Sequence, residues 1–240
     1  MDTVNTVHSN GDGTSSDVPP YEEVSVVVSD MHLSAGKVLQ VRVKNRLSWR
    51  IKRWAKSFFT DVGSPPVIEV PNPLEDFIYD DVFAAFVARF VAAYGSADIL
   101  RLRLMGDVFD PLAVTWRGRL SDPPFEAIAA HKMRTIVRGH PVFFDAIAAF
   151  LKAPNARLDV FVGNHDQFLC WPKVQREIVK RLAHGDPAIA AKIRFVDQSM
   201  DFTDLHRGVL YYHGMNAEAH NTIDARTTIL NDHFGQPLKR

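Results

Sequence analysis

The run Val160–Phe168, VFVGNHDQF, passes from apolar residues straight into a glycine, an amide, an imidazole and a carboxylate. Side chains of that kind exchange protons or hold metal ions, and the same transition recurs along the chain. Asp30 and His32 follow one apolar run, Asp107 and Asp110 a second, Asn164, His165 and Asp166 a third, and His213 follows VLYY. Residues i and i+2 of an extended chain point the same way, so Asp30 and His32 are expected to reach one ion together. Gly106 and Gly163 permit the sharp exits that would aim Asp107 and Asn164 into one space. Imidazole and oxygen donors without thiolate suit manganese, iron or zinc.

The elements that must position these residues are legible as alternation. VSVVVSD from Val24, ILRLRLMGD from Ile99 and RLDVFVGNHD from Arg157 read as buried strands ending in polar loops. Helical patterns separate them. One runs from about Asp81 to Tyr94, with Val82, Phe83, Phe86, Val87 and Phe90 expected on one face, and another runs from Pro141 to Lys152. Strands alternating with helices predict an α/β layered core, and in such sheets ligands gather at the carboxyl ends of strands. KIRFV, SMDFTD and GVLYYHG at hairpin-compatible spacing predict that antiparallel pairing enters late, so the sheets are expected to be mixed.

The ordered blocks SDMH, GDVFD, GNHD and YYHG resemble those of the calcineurin-like metallophosphoesterase superfamily, whose pattern ends in a fifth block, Gly-His-x-His, absent here. Any one block alone reads equally well as a turn. The resemblance implies a layered α/β/β/α sandwich with mixed sheets and a two-metal hydrolase of phosphoester or pyrophosphate bonds that uses a metal-bound hydroxide. By position, Asp30 and His32 would hold one ion, Asn164 and His213 the other, and Asp107 would bridge them. His165 matches the catalytic histidine, Asp166 would orient it, and Asp110 would stand behind the ligands. Two divalent cations against the carboxylates Asp30 and Asp107 leave an excess of roughly two positive charges, which attracts phosphate. Pro111 and Val162 stand where the protein-phosphatase branch carries arginine, and the lipid A pyrophosphatase branch shares SDxHL but has arginine at the place of His165, so the resemblance stops at the superfamily. Without the fifth block, either the C-terminal strands are missing from a longer protein or His220 or His233 folds back to substitute.

The remaining composition narrows the partners. Lysine plus arginine equals aspartate plus glutamate at 28 each in 240 residues, so no global field draws the chain to nucleic acid or membrane. Residues 1–22 are expected to be a flexible tail ahead of one domain over 23–240. No apolar run spans a membrane, and the single Cys170 fits a small core residue and a cytoplasmic setting. Two stretches read as insertions, about 41–73 and Thr115–Pro124. The first is basic and aromatic in VKNRLSWRIKRWAKSFF, which leaves nucleic acid or a peripheral membrane contact open beside the plainer reading of a helix packed on the core. A phosphorylated small molecule or phosphodiester is the expected substrate. The rivals are a non-catalytic protein-binding scaffold on the same fold, as in the retromer subunit that resembles these enzymes, and a nuclease-type phosphodiesterase. His131, His140 and His184 carry no assigned role.

Overall fold

The computed structural model describes residues 21–42, 67–120, 125–197 and 203–215. Outside them lie residues 1–20 of the expected tail, most of the first insertion, residues 121–124 of the second, and 216–240 with His220, His233 and a helix expected from about Glu218. Four strands, β1 (Glu23–Val28), β4 (Ile99–Met105), β5 (Ala156–Phe161) and β6 (Ile193–Val196), form a parallel sheet in the order β1-β4-β5-β6. The connections carry α1 (Asp80–Tyr94), then α2 (Glu126–Gly139) with α3 (Pro141–Leu151), then α4 (Pro172–Ala183) with α5 (Pro187–Ala190). Each crossover steps the same way across the sheet, so right-handed connections put all the helices on one face. Leu100, Leu102, Leu104, Leu158 and Val160 accordingly share one apolar core with Phe83, Phe143, Ile147 and Val174 of the helices.

KIRFV does not open a hairpin. As β6 it joins β5 in parallel, because α4 and α5 cover the distance needed to return the chain to the same end of the sheet. Antiparallel pairing is confined, among the described residues, to two ribbons. β2 (Val38–Arg42) pairs with β3 (Val67–Pro71), so the two ends of the first insertion meet. β7 (Asp204–His206) pairs with β8 (Val209–Tyr211), and residues 199–202 of the run SMDFTD lie outside the described residues. On α1, Phe83, Val87 and Phe90 are buried, whereas Val82 is 64% and Phe86 40% exposed. The reason is angular: Phe83, Val87 and Phe90 form an i, i+4, i+7 stripe, and the residue preceding each lies about 100° around the helix. Phe83 stacks on Phe143 of α3, with ring centroids 4.3 Å apart.

The sheet face opposite the helices combines charged residues with a small buried apolar cluster, Met105, Phe161 and Val196, against which Tyr211 of β8 packs. Alternation along β4 and β5 places Arg101, Arg103 and Asp159 there, and the β7–β8 ribbon covers them through charge. Arg194 of β6 holds Asp204, His206 holds Glu23, and the Arg103 guanidinium lies 3.9 Å from the centre of the Tyr211 ring. These contacts tie the segment that leads to His213 onto the sheet. Among the described residues no helix is long and apolar enough to cross a membrane.

A second buried charge cluster joins three helices to the loop after β1. The His140 ring between α2 and α3 is fully buried, with Nδ1 3.0 Å from Asp80 and Nε2 3.1 Å from Glu75. Burial alone would lower the His140 pKa, but hydrogen bonds to Asp80 and Glu75 and their charges outweigh it and raise it to about 9. A histidine whose folded pKa is raised stabilises the fold fully below its ordinary value near 6.5, and that stabilisation is lost as pH rises through 9. Unfolding free energy measured by urea titration should therefore fall by a few kcal/mol between pH 6 and pH 10, since each tenfold change in proton affinity is worth about 1.4 kcal/mol. His140→Gln should be less stable at pH 6 and show a clearly smaller fall, the remainder coming from His213, whose pKa is also raised to about 9; an equal fall in both proteins would remove the cluster as its cause.

Candidate functional site

Four chain segments leave the carboxyl ends of their strands toward one place. The loop after β1 is laced to the loop after β4: the Asp30 amide donates to the Gly106 carbonyl, His32 to Asp107, Leu33 to Val108, and Asp110 back to Leu33 at 2.7 Å. Leu33, with no exposed surface, bridges Phe109 beneath. Asp30, His32 and Asp107 all adopt left-handed backbone, with φ of 53°, 52° and 50°. For residues with a Cβ this conformation costs of order 1–3 kcal/mol each and persists where the surroundings over-determine it. It also removes the premise that Asp30 and His32 lie on extended backbone.

Their side chains accordingly enter different groups. Asp30, Asp107 and His213 bring one ligand atom each within 4.8 Å of one another, and so do His32, Asp110 and His165. Asp107 connects the two groups: Oδ1 accepts the His165 amide at 2.8 Å, and Oδ2 lies 3.2 Å from Nε2 of His213. Burial works against the Asp107 charge, but the hydrogen bonds from His213 and from the His165 amide hold its pKa below the ordinary carboxylate range. His213 is raised to about 9, first by its hydrogen bond to Asp107 and against burial. Its Nδ1 lies 2.8 Å from the Met105 carbonyl, which can only accept, so Nδ1 carries a proton, and the proton that the raised pKa retains is the one Nε2 donates to Asp107. Backbone carbonyls fix metal-binding histidines in the same way.

His165 faces His32 edge-on with ring centroids 4.6 Å apart, and its Nδ1 lies 3.6 Å from Asp110 Oδ1. That Nδ1 is buried with no hydrogen-bond partner among the described residues, although the side chain as a whole is 36% exposed. The carboxylate beside His165 is thus Asp110, not Asp166. Asp110 Oδ1 also accepts from the Leu112 and Ala113 amides. Asp166 is buried and takes the amides of Gly163 at 2.6 Å, Val108 at 3.1 Å and Phe109 at 3.3 Å. Three converging N–H groups leave it organising two loops, and burial, with the nearby charge of Asp107, raises its pKa to about 7. Asn164 is half-buried between Gly163 and His165, with no side-chain contact among the described residues.

Glycine at 163 is required by contact: a Cβ there would overlap Asp107 Oδ1 and stand 2.5 Å from the Asp107 amide nitrogen. Glycine at 106 is required twice, by a φ of 83° and by the His213 ring, 2.7 Å from any Cβ. Arg117 and Arg119 are exposed on a turn closed by the Trp116–Arg119 pair, against which His131 packs through Trp116. Sequence reasoning passed over Glu75, which joins the loop after β1 to His140; no motif spacing marks it. Two neighbouring groups of imidazoles and carboxylates can hold cations and, with them, bind phosphoryl oxygens. No protein-family model, curated protein or solved structure matches the chain.

Gly163→Ala should destabilise the fold by about 1–3 kcal/mol through overpacking against Asp107. Urea unfolding of the variant beside the wild type checks it, and equal midpoints would contradict the close approach.

Proposed function

We propose that the chain is a metal-dependent hydrolase of phosphoester or pyrophosphate bonds, built on the layered plan of the calcineurin-like metallophosphoesterases. Its ligand set is Asp30, His32, Asp107, Asn164 and His213, around two divalent ions. The observation that carries this reading is Asp107, which groups with Asp30 and His213 and accepts the backbone amide of His165, a member of the neighbouring group with His32 and Asp110. The donors fit such ions: oxygen and imidazole without thiolate, and a His213 ring oriented by the Met105 carbonyl.

Divalent ions bound there would supply Lewis acidity toward phosphoryl oxygens and lower the pKa of a coordinated water. The chain's own residues supply the rest. Asp107 keeps the two ligand groups at fixed separation. Asp110 Oδ1 lies 3.6 Å from Nδ1 of His165 and places a negative charge behind the ring, whose exposed side turns to a substrate. Protonated, that ring is the acid placed to give its proton to the leaving oxygen, a contribution of about 10²–10⁴-fold where it operates. The substrate class is a phosphomonoester, phosphodiester or pyrophosphate, drawn by the cationic surplus that two carboxylates leave.

The test is metal analysis of the purified chain together with hydrolysis of a nitrophenyl phosphate series, with and without manganese. Manganese-dependent turnover is expected, abolished by chelation and reduced about 10²–10⁴-fold in His165→Ala. Equal rates in wild type and His165→Ala would end the catalytic reading, and metal retention without turnover would favour the scaffold.

A further inference from the structure

The left-handed backbone at Asp30 and His32 must be held by something. Lacing to the loop after β4 secures one side of this segment, through residues 30–33. The other side, residues 34–36, is held by the carboxylate of Glu75, whose side chain is 1% exposed. Its oxygens accept the Ser34 amide at 3.1 and 3.2 Å, the Ser34 hydroxyl at 2.8 Å, the Gly36 amide at 2.6 Å and the Phe77 amide at 3.2 Å. His140 approaches the same carboxylate at 3.1 Å, and Asp80 holds the far side of that ring. Asn72 adds a bond from its amide group to the Gly36 carbonyl at 3.0 Å.

Packing leaves the segment no alternative path. A Cβ on Gly36 would meet the Gly139 carbonyl oxygen at 2.6 Å, and one on Gly139 would overlap the Ala35 carbonyl oxygen. Backbone therefore runs bare against backbone where α2 ends. Among the described residues, the Glu75 carboxylate is the single group that joins this loop, the turn before α1 and the α2–α3 junction.

We infer that Glu75, backed by His140 and Asp80, is a positioning residue for the candidate metal centre, fixing the loop that brings Asp30 to one group of donors and His32 to the other. The inference rests on the reading of the site as a metal centre. Glu75 touches neither substrate nor ion; it acts through the backbone of residues 34–36. A ligand loop that must be ordered on binding spends affinity on that ordering, and a loop held beforehand does not. Groups that orient metal ligands from behind typically change affinity 10- to 100-fold when removed.

The test uses the full chain and manganese alone, titrated by calorimetry, with hydrogen exchange of residues 33–36 as a second readout. Glu75→Gln should weaken manganese binding by about 10- to 100-fold and speed exchange in that segment. The core truncation Leu182→Ala in α4, an unrelated destabilisation, should change neither. If Glu75→Gln does not fold, Ser34→Ala, which removes the hydroxyl's bonds to Glu75, the Leu74 carbonyl and the Asn72 amide group, carries the same comparison with a smaller loss in the same direction. Manganese binding unchanged in these variants, or weakened equally by Leu182→Ala, would overturn the positioning role while leaving the metal reading intact. A wild type that takes up no manganese would overturn the metal reading and the inference together.

Discussion

Both oxygens of Asp107 are engaged, one by the amide of His165 and the other by the ring of His213, and the carboxylate is pressed against a glycine that admits no side chain. The loop after β4 thereby fixes the loop after β5 and the segment after β8, while its carbonyls fix the loop after β1. A carboxylate held on two sides by separate chain segments is fixed in place, with Oδ2 toward His213 and Oδ1 on the His165 amide. The same engagement explains the left-handed backbone at Asp107: the conformation costs energy locally and is tolerated because several independent contacts impose it.

The sheet supports this arrangement unequally on its two faces. Helices cover one face with a continuous apolar core, and the parallel strands deliver their carboxyl ends to one side. The other face is held by charge, with Arg101, Arg103 and Arg194 against Glu23, Asp159 and Asp204, and by a small apolar cluster of Met105, Phe161 and Val196, and the ribbon β7–β8 docks through both, Asp204 on the arginines and Tyr211 on the cluster. His213 therefore reaches the site on a segment secured by ion pairs, whereas Asp30 and His32 reach it on a loop secured by the buried Glu75 carboxylate. Buried ion pairs give specificity of position more readily than stability, since desolvation offsets much of their attraction.

The parallel core was legible because each apolar run stops abruptly in glycine or a polar ligand, and helical periodicity fills the intervals. The convergence of Asp30, Asp107, His165 and His213 followed from strand ends meeting at one side of such a sheet. Which carboxylate faces His165 was not legible. Asp166 is adjacent in sequence, but three backbone amides converge on it, an event of tertiary structure that spacing does not encode, and Asp110 takes the place beside the ring. The pairing of Asp30 with His32 failed for a related reason, since the i, i+2 rule presumes extended backbone and both residues have positive φ. The Glu75–His140 contact spans 65 positions and connects residues without a shared motif. The parallel direction of β6 depended on α5, a helix of four residues too short to announce itself by periodicity.

The central claim is that cations sit on both sides of Asp107. Anomalous diffraction from crystals grown with manganese measures this directly. Two anomalous peaks flanking the Asp107 carboxylate, one toward His213 and one toward His32, are the result the account requires. A map with no peak within bonding distance of Asp107 would contradict it.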